Sequence, residues 1–246
     1  MTHMQAKGSP FIREIENDLK IHAPVMLCDK DLGEIREPLP CKAHFMMFCG
    51  SAGSGKTSAA ISLLSQKGKD KMYRKVFHNV FVIAPKSSLA SIKSDVFRSH
   101  PIDKVFEELT AETLTIIHDR AAADAEEGFN SLLYIDDQTV YLKNKDNEAM
   151  LKKLIFNRRH IHLSVWLLTQ SFTQLPLSIR KTLSHFLLFK PRNKKEAESI
   201  FEELIFIPKE ISEAVMTYTF KGKHDFLFGN VETGTLYRNF NELVIE

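Results

Sequence analysis

The sequence predicts an α/β fold, a mainly parallel central sheet flanked by helices. Three observations predict it. Short apolar runs alternate with stretches of helical periodicity, the pattern of strands joined by crossover helices. A Gly-rich segment, Gly50-Ser51-Ala52-Gly53-Ser54-Gly55-Lys56-Thr57, links one apolar run to a helix-like stretch. A second run ends in paired carboxylates, Asp136 and Asp137. At 246 residues, 43% of them hydrophobic, the chain is long enough for one globular domain with small appendages.

Residues 1–43 hold a helix over Phe11 to Leu19 and then a Pro-punctuated stretch ending in Glu37-Pro38-Leu39-Pro40. They read as an N-terminal extension or small β cap, too short for a second domain. The core spans residues 44–205. Its expected strands are His44 to Cys49, Val80 to Ala84, Leu114 to His118, Ser131 to Asp136, Ser164 to Thr169 and His185 to Phe189, about six in all. Helices are expected over Lys56 to Gln66, Ser88 to Ser99, Ile102 to Leu109, Asn147 to Arg159 and Lys194 to Leu204. Residues 206–246 form a C-terminal helix and β-hairpin appendage of the same domain. There, Tyr218 to Phe228 and Gly229 to Val244 alternate apolar with polar residues around the turn signals Lys221-Gly222-Lys223 and Glu232-Thr233-Gly234, suggesting a β-meander.

The formal charge is only +2, from 33 basic and 31 acidic residues, so any nucleic-acid binding has to come from local patches. Cys28, Cys41 and Cys49 fall at spacings that match no zinc or redox motif, which favours a reducing compartment. The opening MTHMQAKGSPFIREIEND lacks the apolar core of a signal peptide. No run approaches the roughly 18 apolar residues of a membrane helix, so a soluble protein without membrane insertion is expected.

Gly50 to Thr57 satisfies G-x-x-x-x-G-K-[ST] between the apolar run HFMMFC and the helical TSAAISLLSQ, the context this motif requires. Its glycines let backbone N–H groups turn inward on phosphate oxygens, and the helix that follows presents the positive end of its dipole. The nucleotide-binding set is therefore Gly50, Ser51, Ala52, Gly53, Ser54, Gly55, Lys56, Thr57 and Ser58. Lys56 is placed to reach the β- and γ-phosphates, and the Thr57 hydroxyl to ligate Mg²⁺. ATP and Mg²⁺ are the expected cofactors.

SLLYIDD puts Asp136 and Asp137 at the C-terminal tip of a strand, the edge of a parallel sheet where ligands bind. Asp136 reads as the Mg²⁺ carboxylate, acting through water. Asp137 is placed to orient or deprotonate the attacking water, a role more often taken by Glu. The run LSVWLLTQ ends in Gln170, whose amide both donates and accepts and so suits a γ-phosphate sensor that also holds the water. Plain turn-forming carboxylates and a buried structural amide are the bland alternatives. Roughly 80 residues and two apolar runs, VFVIA and LTIIH, separate the loop from Asp136. At least one strand is therefore expected between the two motifs, which favours a RecA-like P-loop ATPase core over kinases and small GTPases.

GSAGSGKT, YIDD and FNRRHIHLSVWLLTQSFTQLPLSIRKTLSHFLLFK together resemble the poxvirus-type genome-packaging ATPases of nucleocytoplasmic large DNA viruses and virophages, within the FtsK/HerA superfamily. Arg159-His160, Gln170 and Pro176 to Arg180 carry the match in the third block, and the likeness covers roughly residues 44 to 205. The resemblance implies a homo-oligomeric ring, a pentamer or hexamer, that threads double-stranded DNA into a preformed capsid at the cost of ATP. It also implies capsid portal or vertex proteins as partners, and the host cytoplasm (a viral factory) and the virion as locations. A helicase or DNA-transfer ATPase of the same superfamily, or a nucleotide-dependent assembly scaffold, is the alternative.

A ring motor needs a cation that crosses to a neighbour's γ-phosphate, because one loop lysine leaves transition-state charge uncompensated. Arg158, Arg159 and Arg180 are the candidates. Arg158 and Arg159 end a helix at the sheet edge opposite their own nucleotide, and the resemblance favours Arg159 as the trans-acting finger. Arg180 follows the Gln170 strand and is read as a cis or trans sensor. His160 and His162 lack a third ligand and read as structural. Two basic clusters, Lys67 to Lys75 and Lys190 to Lys195, are candidates for DNA phosphate contacts, although solvated loops look the same.

Overall fold

The computed structural model describes residues 30–85, 88, 97 and 100–245. Nine strands form one sheet in the order β3-β2-β4-β5-β1-β6-β7-β8-β9. The strands are β1 (Phe45–Cys49), β2 (Asn79–Ile83), β3 (Val105–Phe106), β4 (Ser131–Asp136), β5 (Leu163–Thr169), β6 (His185–Phe189), β7 (Phe226–Asn230), β8 (Leu236–Arg238) and β9 (Asn241–Glu242). From β3 to β6 every pairing is parallel. From β6 onward the pairings are antiparallel, which is the expected meander.

Parallel strands covered on both faces read as unbroken apolar runs, and β1, β4, β5 and β6 are buried at every position. Alternate side chains feed two cores. Met46, Phe48, Tyr134, Trp166 and Leu168 meet α1 (Lys56–Ser65) and the N-terminal residues Leu32 and Leu39. Phe45, Met47, Leu133, Val165 and Leu167 meet the helices of the opposite face. These are α2 (Ala111–Glu126), α3 (Lys145–Asn157), α4 (Leu177–Arg180), α5 (Lys194–Ile200) and α6 (Lys209–Thr219). A π-helical turn, Phe201–Ile205, extends α5.

The edge from which the parallel strands start carries a buried polar cluster. Trp166 Nε1–H donates to His44 Nε2 at 2.8 Å, so His44 Nδ1 is the donor to the Lys42 carbonyl, also at 2.8 Å. Burial pushes the His44 pKa from 6.5 down to about 3 and that of His185, its ring neighbour at 6.2 Å, down to about 4. Both rings are therefore neutral near pH 7.

Three expected elements are corrected. Leu114 to His118 is not a strand but the second turn of α2: Thr110 caps it by accepting from Thr113 N at 3.1 Å, and Leu114, Ile117 and Ala121 bury one helical face. Ile102 to Leu109 is not a helix; a 3₁₀ turn, Ile102–Lys104, leads into β3, whose Val105 and Phe106 pair with β2. The count of six parallel strands holds because β3 stands in for the run that became helical. Tyr218 to Phe228 is the end of α6, a turn and the start of β7. The expected helix over Phe11 to Leu19 and nearly all of Ser88 to Ser99 lie outside the described residues.

Candidate nucleotide site

The register fixes the site. Cys49 pairs with Thr169 on one side and Leu188 on the other, and Asp136 pairs with Leu168, so the tips of β1, β4, β5 and β6 lie level at one edge. The loop leaves β1 there, with Gly50 N–H bonded to Thr169 O at 3.2 Å. At Gly50 an added Cβ would lie 2.8 Å from both Phe189 Cβ and Ser54 Oγ, so only glycine lets the loop sit this close to β6. Gly55 opens α1 with φ of 115°, a second position that glycine alone accepts easily. Ala52 and Gly53 form the exposed crest, Ser51 is half-buried, and Ser58 is exposed in the first turn of α1.

Lys56, the first residue of α1, is buried, and its Nζ donates to the carbonyls of Gly50 at 2.7 Å and Ser51 at 3.1 Å. Burial lowers its pKa, opposed by Asp136 and then Asp137. Thr57 Oγ1 donates to Asp136 Oδ2 at 3.3 Å, and the Tyr134 hydroxyl donates to the same oxygen at 3.4 Å. The Asp136 pKa is raised, first by burial and then by the charge on Asp137. A buried carboxylate and a hydroxyl on one spot are the hard oxygen donors that Mg²⁺ takes, with water and phosphate completing its shell. The buried Ser54 Oγ has no hydrogen-bond partner among the described residues, which suits a loop built to receive phosphate oxygens.

One strand, β5, does lie between the loop strand and the Asp136 strand, but it follows Asp136 in the sequence; of the two runs expected there, VFVIA is β2, beyond β4, and LTIIH is helical. The tip of β5 supplies Gln170, whose Nε2 donates to both oxygens of Asp137, at 3.2 and 3.0 Å. Asp137 sits in the left-handed region with φ of 54°, its N–H bonded to Leu168 O at 3.2 Å. The structure thus brings Lys56, Thr57, Asp136, Asp137 and Gln170 together.

The arginines lie elsewhere. Arg158 and Arg159 precede β5 at its opposite end, a strand's length or about 20 Å from Gln170. Arg158 Nη1 caps the Ile155 carbonyl at 2.9 Å, and burial lowers its pKa; Arg159 is exposed. Arg180 is bound to Glu203 at 2.5 Å and stacks on Phe172 at 4.8 Å, so it braces the segment that follows Gln170. His160 is exposed and His162 takes a left-handed backbone with φ of 44°. No metal-binding group of three His, Cys, Asp or Glu side chains occurs among the described residues. Of the basic clusters, Lys190 to Lys195 follows β6 at the nucleotide edge, where Lys194 pairs with Glu213 at 2.6 Å.

Two contacts escaped the sequence. Glu196 sits three residues after the helix cap Asn193, the spacing of a capping box, yet its carboxylate turns inward to accept from Phe172 N at 2.7 Å. His224 Nδ1 donates to the Ser54 carbonyl of the loop at 3.0 Å, from 170 residues away. No local signal marks that second contact.

A sequence profile described as Poxvirus A32 protein matches residues 35–209, well over half of the chain. No curated protein sequence matches it. Among solved structures, B204, the DNA-packaging ATPase from Sulfolobus turreted icosahedral virus, superposes with a TM-score of 0.59 at 16% identity, over 83% of this chain and 99% of that one. The genome packaging NTPase B204 from Sulfolobus turreted icosahedral virus 2, in complex with ATP-gammaS, gives 0.58 at 18% identity, over 80% and 96%. EssC (ATPases 2 and 3) from Geobacillus thermodenitrificans gives 0.51 at 12% identity, over 76% of this chain and 37% of that one. At such identities the likeness is one of fold, and it agrees with the loop, the strand order and the helices on both faces. With its own phosphate loop and acidic strand tip, the chain is a P-loop ATPase and belongs to the Poxvirus A32 protein family.

Proposed function

We propose that this chain is the motor subunit of a homo-oligomeric ring that drives double-stranded DNA into a preformed viral capsid, hydrolysing ATP where two subunits meet. One observation carries the reading. The γ-phosphate flank gathers two carboxylates and an amide around a single lysine, while Arg158 and Arg159 lie about 20 Å away at the far edge of the sheet. A chain so arranged has its second cation where a neighbour's site can use it. Family membership and the likeness to DNA-packaging B204 support the choice of DNA as the load.

In this scheme Gln170 holds Asp137 so that its carboxylate takes the proton of the attacking water. Lys56 leaves the loop carbonyls to neutralise β- and γ-phosphate oxygens. Thr57, and Asp136 through water, would hold Mg²⁺, which would supply further charge neutralisation when bound. Arg159 of an adjacent copy stabilises the charge that develops on the transferred phosphoryl group. Arg180, committed to Glu203 and Phe172, senses the nucleotide through the segment that carries Gln170. Portal or vertex proteins of the capsid are the proposed docking partners, in the host cytoplasm and the virion.

The test is ATP turnover by the assembled protein with and without duplex DNA. Stimulation of several-fold by duplex is expected. Absence of turnover in every oligomeric condition sinks the motor, and a preference for single strands with strand separation moves the assignment to a helicase.

A further inference from the structure

We propose that the turn between α6 and β7, with His224 at its centre, forms the nucleoside side of the ATP site, His224 accepting a hydrogen bond from the sugar or base. The inference rests on the ATP site assigned above and deepens it. Beyond Lys56 and Thr57 of α1, the groups suited to Mg²⁺ and the γ-phosphate, Asp136, Asp137 and Gln170, come from the tips of β4 and β5. The loop strand β1 has β5 on one side and β6, then β7, on the other. With the γ-phosphate end anchored over β5, the nucleoside end leaves across β6 and β7.

The register says what it meets there. Phe226, the first residue of β7, pairs with Phe189, the last of β6, and an added Cβ on Gly50 or Gly55 would lie 2.8 or 3.2 Å from the Phe189 side chain. Two residues before Phe226, the His224 ring lies directly on the loop: an added Cβ on Gly55 would be 3.4 Å from its Nδ1. Because the Ser54 carbonyl only accepts, Nδ1 carries the proton and the neutral ring keeps Nε2 as an acceptor. Ribose hydroxyls and the adenine amino group are donors of the matching kind.

The turn is built to hold that ring still. Asp225 accepts from Gly222 N at 2.7 Å, Lys221 N at 3.2 Å, Arg238 Nη2 at 2.9 Å and Asn239 Nδ2 at 2.8 Å. Arg238 also donates to the Thr219 carbonyl at 3.0 Å, tying the end of α6 to β8. Lys221 is drawn over the Tyr218 ring at 4.3 Å, while His224 faces the phosphate loop. A motif reader sees only the Lys-Gly-Lys turn.

Binding of ATP, ADP and inorganic tripolyphosphate, each with Mg²⁺, to the full chain and to His224→Ala separates nucleoside recognition from loop bracing. His224 is exposed, so the truncation leaves the fold intact. Loss of one hydrogen bond is expected to weaken ATP and ADP by about three- to tenfold and to leave tripolyphosphate unchanged. Equal weakening of all three reduces His224 to a brace of the phosphate loop and overturns the proposal, as does no weakening of any. Failure of the unaltered chain to bind any nucleotide is a different result, and it removes the ATP site itself.

Discussion

Lys56 and Asp137 lie in one cluster but serve different steps, and substitution separates them. In the proposed mechanism Lys56 supplies the charge that binds phosphates, whereas Asp137, held by Gln170 at the rim, acts on water. Lys56→Ala is expected to abolish tight nucleotide binding; Asp137→Ala keeps binding within a few-fold and loses turnover by about 100-fold or more. Equal loss of affinity in both would refute that division. Backbone geometry also accounts for the residue type, since a side chain at φ of 54° is more readily Asp or Asn than a longer acid. A Glu here would reach further from a less favourable backbone. Asp136 carries the opposite burden. Its pKa is raised in the fold, so the native chain binds more protons than the unfolded one and stability falls as pH rises through the raised value. Asp136→Asn without nucleotide is expected to raise the melting temperature by about 2–4 °C at pH 7.5, a gain that disappears in acid. An equal gain at both pH values would deny the cost of the charge.

At the scale of elements, β5 contributes most. Its seven residues are all buried, it separates the loop strand from the acidic strand, and residues with proposed roles stand at both of its ends, Gln170 at one, Arg158 and Arg159 at the other. The starting edge of β5, β1 and β6 holds His44 and His185, whose pKa values are lowered from 6.5 to about 3 and about 4. Groups with depressed basic pKa values leave the native chain with fewer protons than the unfolded chain between those values, so stability falls as pH drops from about 6.5 toward 4. For His185 alone the displacement corresponds to roughly 3 kcal/mol. His185→Gln is expected to flatten this part of the stability curve, measured by denaturant unfolding at pH 7 and 4.5; an unchanged acid slope would exclude His185 as its source. The elements also show where periodicity ran out. LTIIH contains β-branched residues and is apolar enough for a strand, and only the cap at Thr110 and the spacing to Ala121 reveal the helix. The expected C-terminal helix is α6, and only its last residues, Tyr218 and Thr219, were read as the start of the alternating segment around the Lys-Gly-Lys turn. The phosphate loop, β4 and β5 were legible because one short segment holds both the chemistry and the apolar strand that positions it. The contacts of His224 and Glu196 were not, because long-range packing makes them.

For the whole molecule, the prediction concerns copies acting together. Arg159→Ala and Lys56→Ala subunits are each expected to lack turnover, whereas rings mixed from the two regain some of it at interfaces where both intact parts meet. Activity that never exceeds the parents, in rings shown to mix by mass, counts against Arg159 as the crossing cation. The six parallel strands place the phosphate loop at one edge and Arg158 and Arg159 at the other, so the chain has a front and a back. A contact that seats one copy's back on the next copy's front joins two different surfaces and repeats head to tail. Such a contact closes into a ring only if its rotation divides a full turn, and otherwise climbs into a helical filament. In the proposed ring, subunit number would thus follow from an angle rather than from the fold of one chain, and a substitution that tilts this contact by a few degrees would turn rings into open spirals while leaving each chain's own phosphate loop and acidic residues in place.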